Sequence, residues 1–180
     1  MNKITKSILC AFVVFISFQA VAQNKFEQET AYMNCMYSLF DDNGDELKSL
    51  IKKAEQSLLA AEVLSGTRGE SYLVLYKNIR TAIDGRVASF GISDYVIKSL
   101  LESKNAKKYS ACMKTMMTSE NFKDSKLSKI VAMSTSGNNP KITEITGKML
   151  EIFTAEDFNH DFYKYLTFSL IDKYNAANQK

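Results

Sequence analysis

The acidic run over residues 41–46, with the sequence DDNGDE, contains the residue types that bind a hard cation such as calcium. A calcium loop of this kind alternates carboxylate and amide side chains, has glycine at its sixth position and ends on a glutamate at its twelfth. Here Glu46 occupies the sixth position and Lys52 the twelfth. We therefore predict a polar turn between two helices, with a side chain that caps the second one.

His160 is the only histidine, and Glu156, Asp157 and Asp161 lie within about one helical turn of it. Zinc normally takes three or four ligands, so one imidazole among scattered acids is a weak metal pattern. Acids at the start of a helix are also favoured by the helix dipole. We predict a solvated helix N-terminus here, with neither a metal ion nor a cofactor.

Cysteine and methionine recur at helical spacing in two segments, and their soft sulfur atoms are the ligands that Cu(I) prefers. These residues are Met33, Cys35, Met36, Cys112, Met113, Met116 and Met117. Methionine at this spacing is more typical of core packing, and a disulfide would remove both thiolates. Core packing is therefore the favoured interpretation, ahead of copper binding.

The chain also lacks the motifs of the common nucleophilic enzymes. There is no G-x-S-x-G, no phosphate-binding glycine loop and no Cys-x-x-Cys pair. A cysteine hydrolase would need a free thiol and a base, and His160 is the sole imidazole. Carboxylate-only catalysis stays open because acids are plentiful, so the sequence favours a protein that is not an enzyme without excluding one.

Residues 1–22 have the three parts of a cleavable secretory signal peptide. Two lysines and no acid precede an apolar run over residues 8–18, and small residues at 20 and 22 place the cut before Gln23. The alternative is an uncleaved anchor, but a membrane-spanning helix needs about 20 apolar residues and this run is roughly half as long. We expect a periplasmic or secreted protein, and the pattern does not distinguish the two.

Cleavage changes the composition of the mature chain, residues 23–180. Loss of Lys3 and Lys6 lowers the net charge from +3 to about +1, which gives no electrostatic basis for nucleic-acid binding. Loss of Cys10 leaves Cys35 and Cys112, an even pair in an oxidising compartment. We predict that they form a disulfide, worth about 4 kcal/mol in the chain-entropy model, with two separate buried thiols as the alternative.

No segment after residue 22 is long and apolar enough to cross a bilayer.

The elements that position these residues are predicted to be helices, because the chain has one proline and seven glycines and its apolar residues recur every three or four positions. The apolar stripes lie at residues 32–40, 47–61, 72–83, 96–101, 109–117, 127–131, 142–150 and 158–174. The fold class is thus all-α: a single compact helical bundle of about eight helices, with a helical solenoid as the alternative. Residues 71–76 are also compatible with a strand.

Several residues predict helix boundaries. Ser93 is expected to cap the fourth helix, and Pro140 suits the start of the seventh. Thr154 and Asp157 resemble a capping box that opens a long last helix, through about Asn175. That helix is apolar around most of its circumference, so we predict that it is the most buried element.

A search for repeats suggests two degenerate four-helix copies, residues 26–105 and 106–180. The pattern Tyr32-x-x-Cys35-Met36 recurs as Tyr109-x-x-Cys112-Met113, and later matches keep the same order with a shorter second helix in the second copy. Chance similarity among amphipathic helices is the alternative. If the duplication is real, the two cysteines are equivalent and can meet near a pseudo-two-fold axis.

The functional hypotheses follow mainly from the missing catalytic motifs. The first is a non-enzymatic module that binds another extracytoplasmic protein. The second is a carrier of a small apolar ligand, because aromatic-rich bundles can enclose a cavity. The third is a carboxylate-based hydrolase, which requires two acids in one concave pocket. The oligomeric state is left open.

Overall fold

The computed structural model describes residues 25–83, 87–135 and 141–178. Within them the chain forms eight α-helices and no strand, which confirms the all-α prediction. The helices are α1 (Glu27–Tyr37), α2 (Asp45–Ala60), α3 (Gly69–Ile83), α4 (Ile92–Leu100), α5 (Ser103–Met117), α6 (Lys126–Thr135), α7 (Ile142–Ile152) and α8 (Asp161–Asn178), with a 3₁₀ helix (Ala155–Asn159) before α8. The predicted leader and Pro140 lie outside the described residues. None of the described helices is long and apolar enough to cross a membrane.

Helix α8 is the buried centre of the bundle, as its all-round apolar sequence predicted. Phe162, Tyr163, Phe168 and Ile171 are each no more than 2% exposed. The helix packs against α1, α2, α4 and the 3₁₀ helix. A helix that is apolar on every side must be surrounded, because each exposed face would leave apolar surface in water.

Aromatic rings join the elements around this centre. The Tyr72 ring of α3 stacks on Phe158 of the 3₁₀ helix, with centroids 4.7 Å apart and planes at 12°. Phe153 meets Tyr163 edge-on at 5.1 Å, and Tyr76 meets Phe153 edge-on at 5.6 Å. Such pairs contribute about 0.5–1.5 kcal/mol each beyond their buried area. These rings hold the 3₁₀ helix against α3 and the start of α8 against the end of α7.

The capping box of Thr154 and Asp157 is present, because the Thr154 N–H donates to Asp157 Oδ2 at 2.6 Å. It opens the short 3₁₀ helix and not the long last helix, so that part of the prediction was wrong. His160 has extended backbone angles (φ −102°, ψ 133°) and separates the 3₁₀ helix from α8. A second N-terminus therefore lies at Asp161, directly after the only histidine.

The predicted cap at Ser93 is also wrong, because α4 already begins at Ile92. The N-terminus of α4 is capped from a distant helix by Asp172 of α8. Its Oδ1 accepts the N–H of Phe90 at 2.6 Å and the hydroxyl of Ser89 at 3.0 Å. Its Oδ2 accepts the N–H of Ser93 at 3.1 Å. The strand alternative for residues 71–76 fails as well, since they lie within α3.

A disulfide joins Cys35 of α1 to Cys112 of α5, with Cα atoms 6.1 Å apart, and so confirms the predicted pairing. Cys35 is 3% exposed, so one end of the bridge lies in the core. The bond fastens α1 to α5 across 77 positions of sequence.

Candidate functional site

The acidic turn before α2 is a helix cap. Asp42 accepts the N–H of Gly44 through Oδ1 and the N–H of Glu46 through Oδ2, both at 2.9 Å. These bonds stabilise the charged carboxylate, the Glu46 N–H most of all, and so hold the pKa of Asp42 below its usual value. Lys48 pairs with Asp45 at 2.9 Å. The turn has the role that the sequence predicted, as a cap between two helices.

The sulfur residues mainly pack the core. Met33, Met36 and Met116 are 6% exposed or less, whereas Met117 is 45% exposed. The disulfide engages both cysteine sulfurs. Over the part of the chain that the structure describes, no group of three His, Cys, Asp or Glu residues could hold a metal ion.

His160 lies between α1 and the start of α8, where both ring nitrogens have partners. Nδ1 accepts the N–H of Phe162 at 3.2 Å, so the proton of the neutral ring must lie on Nε2. Nε2 is 3.0 Å from the hydroxyl of Thr30 and therefore donates to it. This is the wrong tautomer for a base that activates Thr30, because such a base needs a lone pair on Nε2. Burial lowers the pKa of His160, although the nearby charges of Glu29 and Asp161 oppose that shift.

The sequence predicted that the acids near His160 form one solvated face, and this prediction was wrong for one of them. Glu156 is exposed and pairs with Lys25. Asp157 is 0% exposed, and its Oδ2 lies 2.5 Å from the ammonium of Lys126. The prediction failed for Asp157 because α6 supplies a cation that could not be located from the sequence around residue 157.

The structure brings buried acids together in a cleft of about 430 Å³, which we call the acidic cleft. It lies where the N-terminus of α1 meets the α5–α6 connection and the start of α8. Its lining residues are Lys25, Phe26, Glu27, Gln28, Glu29, Asn121, Asp124, Ser125, Lys126, Asp157 and Tyr163. Its volume is in the range typical of small-molecule sites.

Glu29 is the unexpected residue of this cleft, because it is only 3% exposed. Its Oε1 accepts the hydroxyl of Tyr163 at 2.7 Å, and among the described residues no lysine or arginine forms an ion pair with it. Burial and this bond to Glu29 raise the pKa of Tyr163 well above its usual value. A sequence signal did exist: Glu29 lies at helical spacing before Met33 and Met36, on the apolar side of α1.

Two further clefts have mixed linings. One of about 380 Å³ contains the stacked rings of Phe40 and Tyr95, 4.6 Å apart, beside charged residues such as Lys98 and Glu102. Another, of about 260 Å³, lies between His160 and Tyr37. Burial, together with the charge of Asp161, raises the pKa of Tyr37 to about 12. Both clefts are open and carry charged side chains, unlike the apolar lining expected of an apolar-ligand carrier.

Apolar side chains also project from the surface of α4. Ile97 is 55% exposed and Leu101, directly after the helix, is 81% exposed. They are four positions apart, so they lie on the same face, one turn from each other.

Comparisons with protein-family models, with curated proteins and with solved structures gave no match for this chain.

Proposed function

We propose that this protein is exported and acts as a non-enzymatic module that binds another extracytoplasmic protein. The observation that carries the proposal is the apolar pair Ile97 and Leu101, which we call the α4 patch. Large apolar side chains that project together from a helix are typical anchors of protein interfaces, because a partner removes them from water. Export is supported by the leader pattern of residues 1–22 and by the Cys35–Cys112 disulfide, since such bonds persist in oxidising compartments.

The α4 patch is held on a rigid support. Asp172 accepts backbone N–H groups at the start of α4 and so fixes its first turn. Ile92 and Val96 of the same helix are buried in the core. A preorganised surface loses little conformational entropy when it binds. The patch therefore has the stiffness that a recognition surface needs.

The predicted duplication adds an independent argument. It pairs Ile97 with Thr167 and Leu101 with Ile171, and both of these counterparts on α8 are 0% exposed. In the second copy the same helix face is therefore covered by neighbouring helices. We infer that a helix of the partner covers the α4 patch in the same way.

The test places a photo-crosslinking residue at position 97 or, as a matched control, at Val74 of α3, which is 50% exposed. We expect a discrete crosslinked protein from position 97 and not from position 74. The captured protein is then purified, and its affinity is measured for the wild type, for I97S/L101S and for V74S. The double serine variant should bind at least about tenfold more weakly, because each buried leucine or isoleucine contributes roughly 1.5–3 kcal/mol. Equal affinities of the two variants would exclude the α4 patch as the interface.

Export is tested separately by the intact mass of the protein recovered from its native compartment. We expect a chain that begins at Gln23 and contains no free thiol. A full-length chain, or one with two alkylatable thiols, would contradict the proposed location.

A carboxylate-based hydrolase is the second candidate, because Glu29 and Asp157 line one cleft. It ranks lower because Oδ2 of Asp157 is engaged by Lys126 and the Thr154 cap, and Oε1 of Glu29 is engaged by the hydroxyl of Tyr163. A catalytic acid must reach the substrate directly or through one water. Hydrolysis of model esters or glycosides that is lost in E29Q and kept in E151Q, a variant of an exposed acid on α7, would reverse this ranking.

A further inference from the structure

We propose that the acidic cleft binds an organic cation, an alkylammonium or guanidinium group, which supplies the counter-charge for Glu29. This site is distinct from the α4 patch and does not depend on it. Its ligand chemistry follows from the charges, the buried acceptors and the aromatic rings that line the cleft.

The charges of the cleft leave one buried acid without a cation. Lys126 is paired with Asp157, and Lys25 is paired with Glu156, which does not line the cleft. Among the described residues, Glu29 accepts the neutral hydroxyl of Tyr163 and forms no ion pair with a lysine or arginine. An ionised carboxylate removed from water is stabilised most by a cation that also donates hydrogen bonds.

A second buried acceptor lines the same cleft. Asp157 is fully buried, and its Oδ1 has no hydrogen-bond donor among the described residues. Buried carboxylate oxygens without a donor are rare in folded proteins. An ammonium group carries three donors and a guanidinium carries five, so either can serve more than one acceptor at once.

An aromatic ring lines the cleft beside these acids. Phe26 packs edge-on against Tyr163, with ring centroids 6.2 Å apart. The ammonium of Lys25 already lies 5.5 Å from the Phe26 centroid, so this ring is placed to attract a cation. Aromatic rings attract organic cations, and a carboxylate forms charge-assisted hydrogen bonds with them.

The same features exclude other ligand classes. A divalent metal would need at least three hard ligands together, and the described residues offer no such group. An anion would meet Glu27 and Asp124 in addition to the two buried acids. An apolar molecule would bury Glu29 further without supplying a charge.

The experiment is calorimetric titration of the purified protein with two sets of cationic probes. The first set contains n-butylammonium, ethylguanidinium and spermidine. The second contains alanine-rich peptides with one lysine or one arginine. The neutral control is n-butanol, the anionic control is butyrate, and Mg²⁺ tests for a metal site. The protein variants are E29Q, which retains an acceptor for Tyr163, and the matched control E151Q on the exposed surface of α7.

We expect a cationic probe to bind, with affinity reduced about 10- to 100-fold in E29Q and unchanged in E151Q, because the bond to an ionised group is lost. Binding of the free cations would identify a small amine as the ligand, whereas binding of the peptides alone would identify a basic side chain. A second variant, F26L, should weaken binding without removing the buried acid, and it serves if E29Q does not fold. Equal binding of n-butanol, an unchanged affinity in both cleft variants, or no binding at millimolar concentration would overturn the proposal.

Discussion

Replacement of Asp172 by alanine should be among the most destabilising substitutions in this protein. The carboxylate is 3% exposed and accepts three hydrogen bonds, two of them from the backbone at the start of α4. Its loss leaves those donors without an acceptor inside a partly buried helix N-terminus. We expect D172A to lower the free energy of unfolding by about 3–5 kcal/mol, which corresponds to a decrease in Tm of roughly 10 °C. D172N keeps one acceptor oxygen and should lose about half as much.

The matched control is D94N, because Asp94 is an exposed acid in the first turn of the same helix. Its loss removes only a favourable interaction with the helix dipole, about 0.3–1 kcal/mol. Urea unfolding of the three variants, with the disulfide intact, measures the differences. If D172A and D94N unfold at the same urea concentration, the carboxylate of Asp172 does not hold α4, and the rigid support inferred for the α4 patch is lost as well.

Three further predictions concern stability. C35A/C112A should lose about 4 kcal/mol in urea unfolding, and a loss below about 1 kcal/mol would contradict the chain-entropy estimate. Burial lowers the pKa of His160 in the folded state, so the free energy of unfolding should decrease as the pH falls below about 6.5, the pKa of histidine in the unfolded chain. H160N keeps a side-chain acceptor for the N–H of Phe162, and urea unfolding of this variant should depend less on pH in that range. Glu55 accepts the ammonium of Lys164 at 2.8 Å in a site where both side chains are less than 20% exposed, so E55Q should cost about 1–3 kcal/mol, with part of the loss recovered in E55L/K164M.

The helical elements were predictable because each has an apolar face with the helical period. The stripe that contains Leu47, Ile51, Ala54 and Leu58 predicted α2, and these four residues are all buried. The Cys35–Cys112 bond was predictable for a different reason, since removal of the predicted leader would leave two cysteines and one possible pairing. The first prediction needs only the local order of residues, and the second has only one possible answer.

The site was not predictable, because it depends on pairs that are far apart in the sequence. Glu29 meets Tyr163 across 134 positions, and Asp172 meets Phe90 across 82. Glu29 and Asp172 each interrupt an apolar helix face, and the sequence pattern indicates no more than that interruption. Its partner is decided by how the helices pack, and helix packing depends on side-chain shape more than on periodicity.

The predicted duplication would give a physical reason for the pairing of the cysteines. In the order of the two copies, α1 corresponds to α5, α3 to α7 and α4 to α8, and each of these equivalent pairs is in contact. A pseudo-two-fold axis would place equivalent helices in contact, and α6 has 10 residues where α2 has 16. The predicted duplication pairs Asp172 with Glu102, and these two acids differ in their contacts: Asp172 caps α4, whereas Glu102 is exposed and lies 3.7 Å from Lys104. Leu101 is 81% exposed, whereas Ile171, its counterpart in the predicted duplication, is 0% exposed, so the exposed face of α4 corresponds to a buried face of α8.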